Sequence, residues 1–182
     1  MSKFVDVASI TQVIGCVYTN PAILDQTDKY TITDDDFPDR FHKITFGAIY
    51  NLYNLGASSI TLKNILDFLA EHPKHEAIFK KEKGEEWLFE IAQNAMPNAF
   101  DYYYNRMKKM TLLRAFDNYG IDVSFLYDPD NILDTKKKQI QEEWLDNTGL
   151  AEIANKLVER VDSIVATHVN HTFGEVYRPT EG

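Results

Sequence analysis

Apolar residues recur at three- and four-residue intervals along almost the whole chain, and this is the spacing of amphipathic α-helices. One such helix carries Ile44, Ile49 and Leu52 and is predicted to end near Gly56, a residue suited to a left-handed cap. Thr61 can cap the helix that follows, and His72-Pro73 should end that helix. Because signals for strands are few, the pattern predicts an all-α fold, beginning with a small helical head.

From Phe100 the pattern changes, because the predicted helix carries two neighbouring apolar stripes that continue as far as Leu126. A turn at residues 127–131 should then reverse the chain into a second helix, which carries Ile132, Leu133 and Ile140 and completes a long helical hairpin. Two helices alone cannot bury both stripes, so the surplus indicates a partner molecule. The residues predicted to form this oligomer interface are Tyr103, Met107, Met110, Leu113, Phe116 and Tyr119.

After Gly149 a third pattern predicts one amphipathic helix of about five turns. The tail from His171 to Gly182 has no periodicity and is interpreted as an interdomain linker. The predicted organisation is a head at 1–99, a dimerisation hairpin at 100–148, and a linker helix with its tail at 149–182. The apolar positions of the linker helix are Leu150, Ile153, Leu157, Val161 and Ile164.

Composition narrows the class of function. The chain has 182 residues and a net charge of −9, which argues against a strong grip on a phosphate backbone, so DNA contact should be weak. Clusters such as Lys80-Lys81-Glu82-Lys83 are interpreted as solvated helix faces. The single cysteine, Cys16, excludes an internal disulfide and should be a small buried side chain. Apolar runs are too short to cross a membrane, so a cytoplasmic location is expected.

No catalytic, cofactor or metal site is predicted. Asp34-Asp35-Asp36 lacks the later ligands of a calcium loop, and acids after Thr33 are typical of a helix N-terminus. His72-x-x-His75 and His168-x-x-His171 lack further ligands and are interpreted as surface histidines. His42 should pack and form a hydrogen bond rather than catalyse. No Gly-Lys dipeptide of a phosphate-binding loop occurs in the sequence, so ATP hydrolysis is not expected.

Several segments, taken in order, resemble the N-terminal domain of DnaB-type replicative DNA helicases over roughly residues 8 to 128. The central segment runs from Asp36-Phe37 through His42 and Phe46 to Gly56. The helix Trp87–Ala92 and a Pro-containing break at 94–99 follow it, before a long helix with Lys108, Lys109, Leu112, Leu113 and Arg114. The segment from 71 to 86 is longer and more charged than in the family, which suggests a phage or plasmid source.

The resemblance implies an assembly module that hydrolyses nothing itself. Family members dimerise through the hairpin, close a hexamer as a trimer of dimers, and offer surfaces to primase and to the helicase loader. The linker helix docks on the motor domain of a neighbouring subunit, and that motor holds ATP and Mg²⁺. The alternative is a stand-alone helicase loader or inhibitor that uses the same fold.

Overall fold

The computed structural model describes residues 2–177, with side chains described as far as residue 169. No strand occurs in that part of the chain, which confirms the predicted all-α fold. Its helices are α1 (Val7–Thr19), α2 (Arg40–Asn54), α3 (Leu62–Ala70), α4 (Pro73–Lys81), α5 (Gly84–Gln93), α6 (Phe100–Asn118), α7 (Thr135–Asn147) and α8 (Leu150–Tyr177).

The chain divides into two compact units, Met1–Thr111 and Leu112–Gly182, and the division falls inside α6. In the first unit α1 packs against α2 and α5, while α2 also packs against α3 and α4. Burial of each large aliphatic or aromatic side chain contributes about 1.5–3 kcal/mol to this packing. The centre of this core is formed by Val13, Ile14, Val17, Ile49, Ile65, Phe79 and Leu88, all nearly inaccessible to solvent.

Capping side chains, a glycine and a proline define where several helices of the first unit begin and end. The Asp39 carboxylate accepts a hydrogen bond from the Phe41 N–H at 2.8 Å and starts α2. Gly56 follows α2 with φ of +102°, which confirms the predicted left-handed ending. Thr61 and Asn64 form a reciprocal capping box at α3, which confirms the predicted cap. Pro73 then occupies the first turn of α4, so the charged segment predicted as a connection contains a helix.

The hairpin differs from its sequence prediction in where the helices end. Helix α6 stops at Asn118 rather than near Leu126, and Gly120 adopts a left-handed φ of +82° just beyond it. The next helix begins only at Thr135, because the Asp134 carboxylate accepts from the Lys137 N–H at 2.9 Å and caps α7 there. Residues 119–134 are therefore a connection without α-helix, and its apolar residues cannot form a helical stripe.

The end of the chain also differs from the prediction. Helix α8 continues to Tyr177, so the first part of the predicted linker tail is helical in its backbone. The rest of that tail, residues 178–182, lies outside the described residues. The division into a head (1–99), a dimerisation hairpin (100–148) and a linker helix with its tail (149–182) stays a prediction.

Helices α1 and α5 approach closely at Gly15. A Cβ atom added to Gly15 would lie 2.9 Å from the Ile91 carbonyl oxygen of α5, a backbone atom that cannot turn away. Gly47 provides a contrast in the interior of α2, since a Cβ atom there would meet no atom within 4 Å. The two helical glycines thus differ in the space around them.

We predict opposite effects of alanine at these two glycines. Gly15→Ala should lower the free energy of unfolding by about 1–3 kcal/mol, because α1 and α5 must move apart. Gly47→Ala should raise it by about 0.5–1 kcal/mol, because alanine loses less backbone entropy in a helix than glycine does. Urea unfolding followed by circular dichroism measures both. Equal effects of the two substitutions would contradict the close α1–α5 approach.

Candidate assembly interface

A buried acidic residue holds the start of α6 on the first unit. Asp36 ends a short 3₁₀ helix, Asp34–Asp36, and its side chain is inaccessible to solvent. Its carboxylate accepts from the Lys108 Nζ at 3.0 Å, the Thr111 Oγ1 at 2.7 Å and the Thr33 N–H at 2.9 Å. One carboxylate therefore caps its own 3₁₀ helix and ties that helix to α6.

Two further contacts fasten α6 to the same unit. Arg106 forms an ion pair with Asp6, the residue that caps α1. The Thr31 N–H donates to the Tyr104 hydroxyl at 2.8 Å. With the Asp36 contacts, these bonds attach successive turns of α6 to three separate segments of the first unit.

The six residues predicted as an oligomer interface occupy different environments. Met107, Met110 and Leu113 are buried within this chain, and Met107 belongs to the core of the first unit. These three side chains are thus covered by residues of their own chain. Tyr103 and Phe116 are half-buried, and Tyr119 is 89% exposed. The assignment of the six residues to an oligomer interface stays a prediction.

Large exposed apolar side chains are frequent in the second unit between residues 119 and 140. Sequence reasoning assigned Ile132, Leu133 and Ile140 to the hairpin's second helix, but Ile132 and Leu133 precede α7. Leu133 is 94% exposed, more than any other large hydrophobic side chain among the described residues. We call this set the 119–140 apolar surface, and it comprises Tyr119, Phe125, Ile132, Leu133 and Ile140.

The connection that carries this surface is held by polar contacts to α7. The Tyr127 hydroxyl donates to the Glu142 carboxylate at 2.5 Å. The Gln141 side chain accepts from the Asp128 N–H at 2.7 Å and donates to the Asp128 carbonyl at 3.1 Å. Loops fixed in this way keep exposed side chains in a defined position, which suits a binding surface.

The residues predicted for linker-helix docking are also divided. Ile153 and Leu157 are fully buried within this chain, so they are not available to a neighbouring subunit as α8 is placed here. Leu150 and Val161 are half-buried, and Ile164 is exposed. Ile164 is therefore the most accessible of the five residues, and Leu150 and Val161 are partly accessible.

His42 lies in α2 between aromatic rings and is almost completely buried. Its ring centroid is 5.5 Å from that of Trp87 and 5.7 Å from that of Phe41. Within the described part of the chain Nδ1 has no hydrogen-bond partner, so the predicted hydrogen bond is not found at this atom. Burial lowers the pKa of His42, and the negative charges of Asp39 and Glu82 partly oppose this effect.

The described residues provide little that could hold a metal. In the part of the chain with described side chains, no three His, Cys, Asp or Glu residues come together as a metal would require. The side chain of His171, from the predicted pair His168-x-x-His171, is not among those described. Cys16 is buried in α1, and burial raises the pKa of its thiol, as expected for a small core residue. Among the described residues no helix is long and apolar enough to span a membrane.

The family model for the DnaB-like helicase N terminal domain matches residues 7–109, which include α1 to α5 and the anchored half of α6. The chain belongs to this family. The match ends close to Thr111, where the first compact unit ends. The Asp36 ion pair with Lys108 therefore joins two positions that both lie inside the DnaB-like region.

One relative is described as an SPbeta prophage-derived uncharacterized protein, YorI, from Bacillus subtilis (strain 168). It is 37% identical over 148 residues, which cover 81% of this chain. The chain spans only 29% of the length of that relative. A prophage relative agrees with the expected phage connection of this DnaB-like domain. No solved structure matches the chain.

We predict that Asp36→Ala will strongly destabilise the DnaB-like domain. The substitution leaves the Lys108 ammonium, 16% exposed, without this carboxylate and removes the acceptor of two other donors. The free energy of unfolding should fall by about 3 kcal/mol, as for other broken buried ion pairs. Asp34→Ala removes the same charge from an exposed neighbour and should change stability by less than about 0.5 kcal/mol. Similar losses in both variants would show that the buried contacts contribute nothing specific.

We predict that protonation of His42 opposes folding. In the unfolded chain the imidazole gains a proton near its ordinary pKa of 6.5, whereas burial keeps it neutral in the folded protein until lower pH. The unfolded state then binds more protons, so the free energy of unfolding falls as the pH drops below 6.5, by at most about 1.4 kcal/mol per pH unit.

Urea unfolding at a series of pH values measures this effect against two variants. His42→Gln should show a shallower loss of stability with acid than the wild type, because the buried titrating group is gone. His72→Gln, at an exposed position, should keep the slope of the wild type. An unchanged slope in His42→Gln would rule out His42 as the source.

Proposed function

We propose that this chain is the oligomerisation and partner-binding N-terminal domain of a replicative DNA helicase that acts in DNA replication. Such a domain would organise the hexamer ring and contact primase or the helicase loader in the bacterial cytoplasm. The observation that carries the proposal is the DnaB-like match over residues 7–109, together with an exposed apolar surface beyond it. The greater length of the prophage relative also supports a larger parent protein.

The 119–140 apolar surface supports self-association of the second unit. Leu133, Tyr119 and Ile132 expose most of their area, and burying side chains of this size stabilises an interface by about 1.5–3 kcal/mol each. The buried centres of interfaces are more apolar than the remaining surface, and aromatic residues such as Tyr119 are enriched there. Two copies that bury this surface against each other would form the dimer from which a trimer of dimers is assembled.

Helix α8 would provide the connection to the helicase motor. Since Ile153 and Leu157 are buried in their own chain, we assign docking on a neighbouring subunit to the part of α8 that includes Val161 and Ile164. ATP and Mg²⁺ would bind in that motor and not in the DnaB-like domain. The net charge of −9 supports weak DNA contact through this region.

The proposal predicts that Leu133→Asp weakens self-association without unfolding the protein. Leu133 is almost fully exposed, so the substitution changes no internal packing but places a charge in the apolar surface. The dissociation constant of the dimer should rise at least about tenfold, which corresponds to 1.4 kcal/mol. Analytical ultracentrifugation measures association, and circular dichroism confirms that helicity is retained.

Leu55→Asp is the matched control, because Leu55 is 79% exposed but lies at the end of α2 in the first unit. It introduces the same charge and should leave association unchanged. A wild-type protein that is monomeric at high concentration would contradict the assembly function. Equal weakening by the two substitutions would instead show that net charge, and not this surface, controls association.

A further inference from the structure

A groove crosses the surface of the first unit between α2 and the junction of α3 and α4. It has a volume of about 320 Å³ and is open to solvent. Its apolar floor includes Ile44, Ala48 and Phe68, and Gly47 leaves the groove deep because it lacks a side chain. A groove of this size accepts two or three side chains from one face of a docked helix.

The rim of this groove is basic in a protein that is otherwise acidic. Arg40 and Lys43 stand along α2, and His72 and His75 stand on the opposite side at the start of α4. Asp34 is the one acidic residue in the lining. Two cations and one carboxylate leave a local positive charge, whereas the chain as a whole carries −9. An occupant with apolar side chains around a carboxylate would complement both floor and rim.

The second unit presents a face of that composition on α8. Val158, Asp162, Val165 and Val169 follow one another at four-, three- and four-residue intervals, so they share one side of the helix. All four side chains are exposed, and this side is distinct from the one that buries Ile153 and Leu157. We call these four residues the α8 stripe. It is apolar with one carboxylate at its centre.

The geometry points to a contact between copies of this chain, in which the α8 stripe of one copy docks in the α2–α4 groove of another. Val158 and Val165 would enter the groove as anchors one turn on each side of Asp162. The Asp162 carboxylate would then face Lys43 and Arg40. Direct pairing of two α8 stripes is less favourable, because it would place one Asp162 near the other in an apolar seam.

This contact is separate from the 119–140 apolar surface and uses none of its residues. Because the groove and the stripe are different surfaces, the contact is heterologous and can link one dimer to the next. A ring assembled from dimers requires a second contact of this kind. The inference therefore goes beyond the proposed dimer interface and can fail independently of it.

A charge exchange between full-length variants tests the contact. Lys43→Glu alone and Asp162→Lys alone should each weaken assembly beyond the dimer about tenfold or more, because each places like charges together. An equimolar mixture of the two variants should regain association, since each copy then supplies a surface that the other lacks. The double variant, with both substitutions in one chain, should also associate. Sedimentation velocity with one variant fluorescently labelled measures all four cases.

Two controls match these changes in charge. Lys81→Glu alters an exposed lysine of α4 that does not line the groove, and Glu159→Lys alters an exposed residue of α8 outside the stripe. Both should leave assembly within about threefold of the wild type. If the controls weaken assembly as much as the test variants, overall charge explains the effect and the contact is wrong.

A further variant fills the groove without changing charge. Gly47→Leu should keep the fold, because a Cβ at Gly47 has open space around it, and it should weaken assembly at least as much as Lys43→Glu. Failure of the mixture to regain association, or full assembly by a folded Gly47→Leu protein, would overturn the groove contact. Neither result would affect the dimer interface, which Leu133→Asp tests on its own.

Discussion

The ion pair between Asp36 and Lys108 is the contact on which the arrangement of the first unit depends. A carboxylate without solvent access would be strongly unfavourable alone, so its place in the core requires the ammonium, the Thr111 hydroxyl and the Thr33 N–H around it. These donors come from the chain just before α2 and from α6, which are far apart in sequence. The bond therefore holds the first part of α6, as far as Thr111, against the other elements of the first unit.

This attachment explains why apolar residues in the first part of α6 are buried. Once Asp36 and Asp6 hold this helix against the head, Met107 must fill the head's interior. Apolar residues further along the chain have no such constraint, and several remain on the surface between residues 119 and 140. Buried apolar residues nevertheless occur on both sides of this point, since Leu145, Ile153 and Leu157 are buried in the second unit.

Net charge and local charge differ between the chain as a whole and the α2–α4 groove. The protein is acidic overall, and repulsion between copies would oppose association through undirected contacts. In the proposed dimer, burial of exposed apolar side chains would offset this repulsion, because the hydrophobic effect does not depend on charge. In the contact proposed above, the basic groove of this acidic protein would add a directed contact, since it would discriminate between acidic and basic faces of an approaching helix.

The sequence by itself determined the helical class, the family, and those helix limits that depend on local signals. The cap at Thr61, the left-handed Gly56 and the break at Pro73 involve residues within one turn of each other, so their types are sufficient to place them. The same reasoning failed beyond Asn118, because the periodicity of apolar residues continued where the backbone turns at Gly120. Apolar spacing does not distinguish a helix from a loop that happens to carry similar residues.

Only the tertiary structure decided which apolar residues are buried and which remain exposed. Met110 and Tyr119 were both assigned to the oligomer interface from the sequence pattern, yet the first is buried and the second is almost fully exposed. The sequence did not predict the ion pair between Asp36 and Lys108 either, because each residue taken in its own segment could equally be exposed to solvent. Burial and ion pairing depend on which distant segments meet. Neither can be determined from one segment alone, because both arise only when the helices pack against each other.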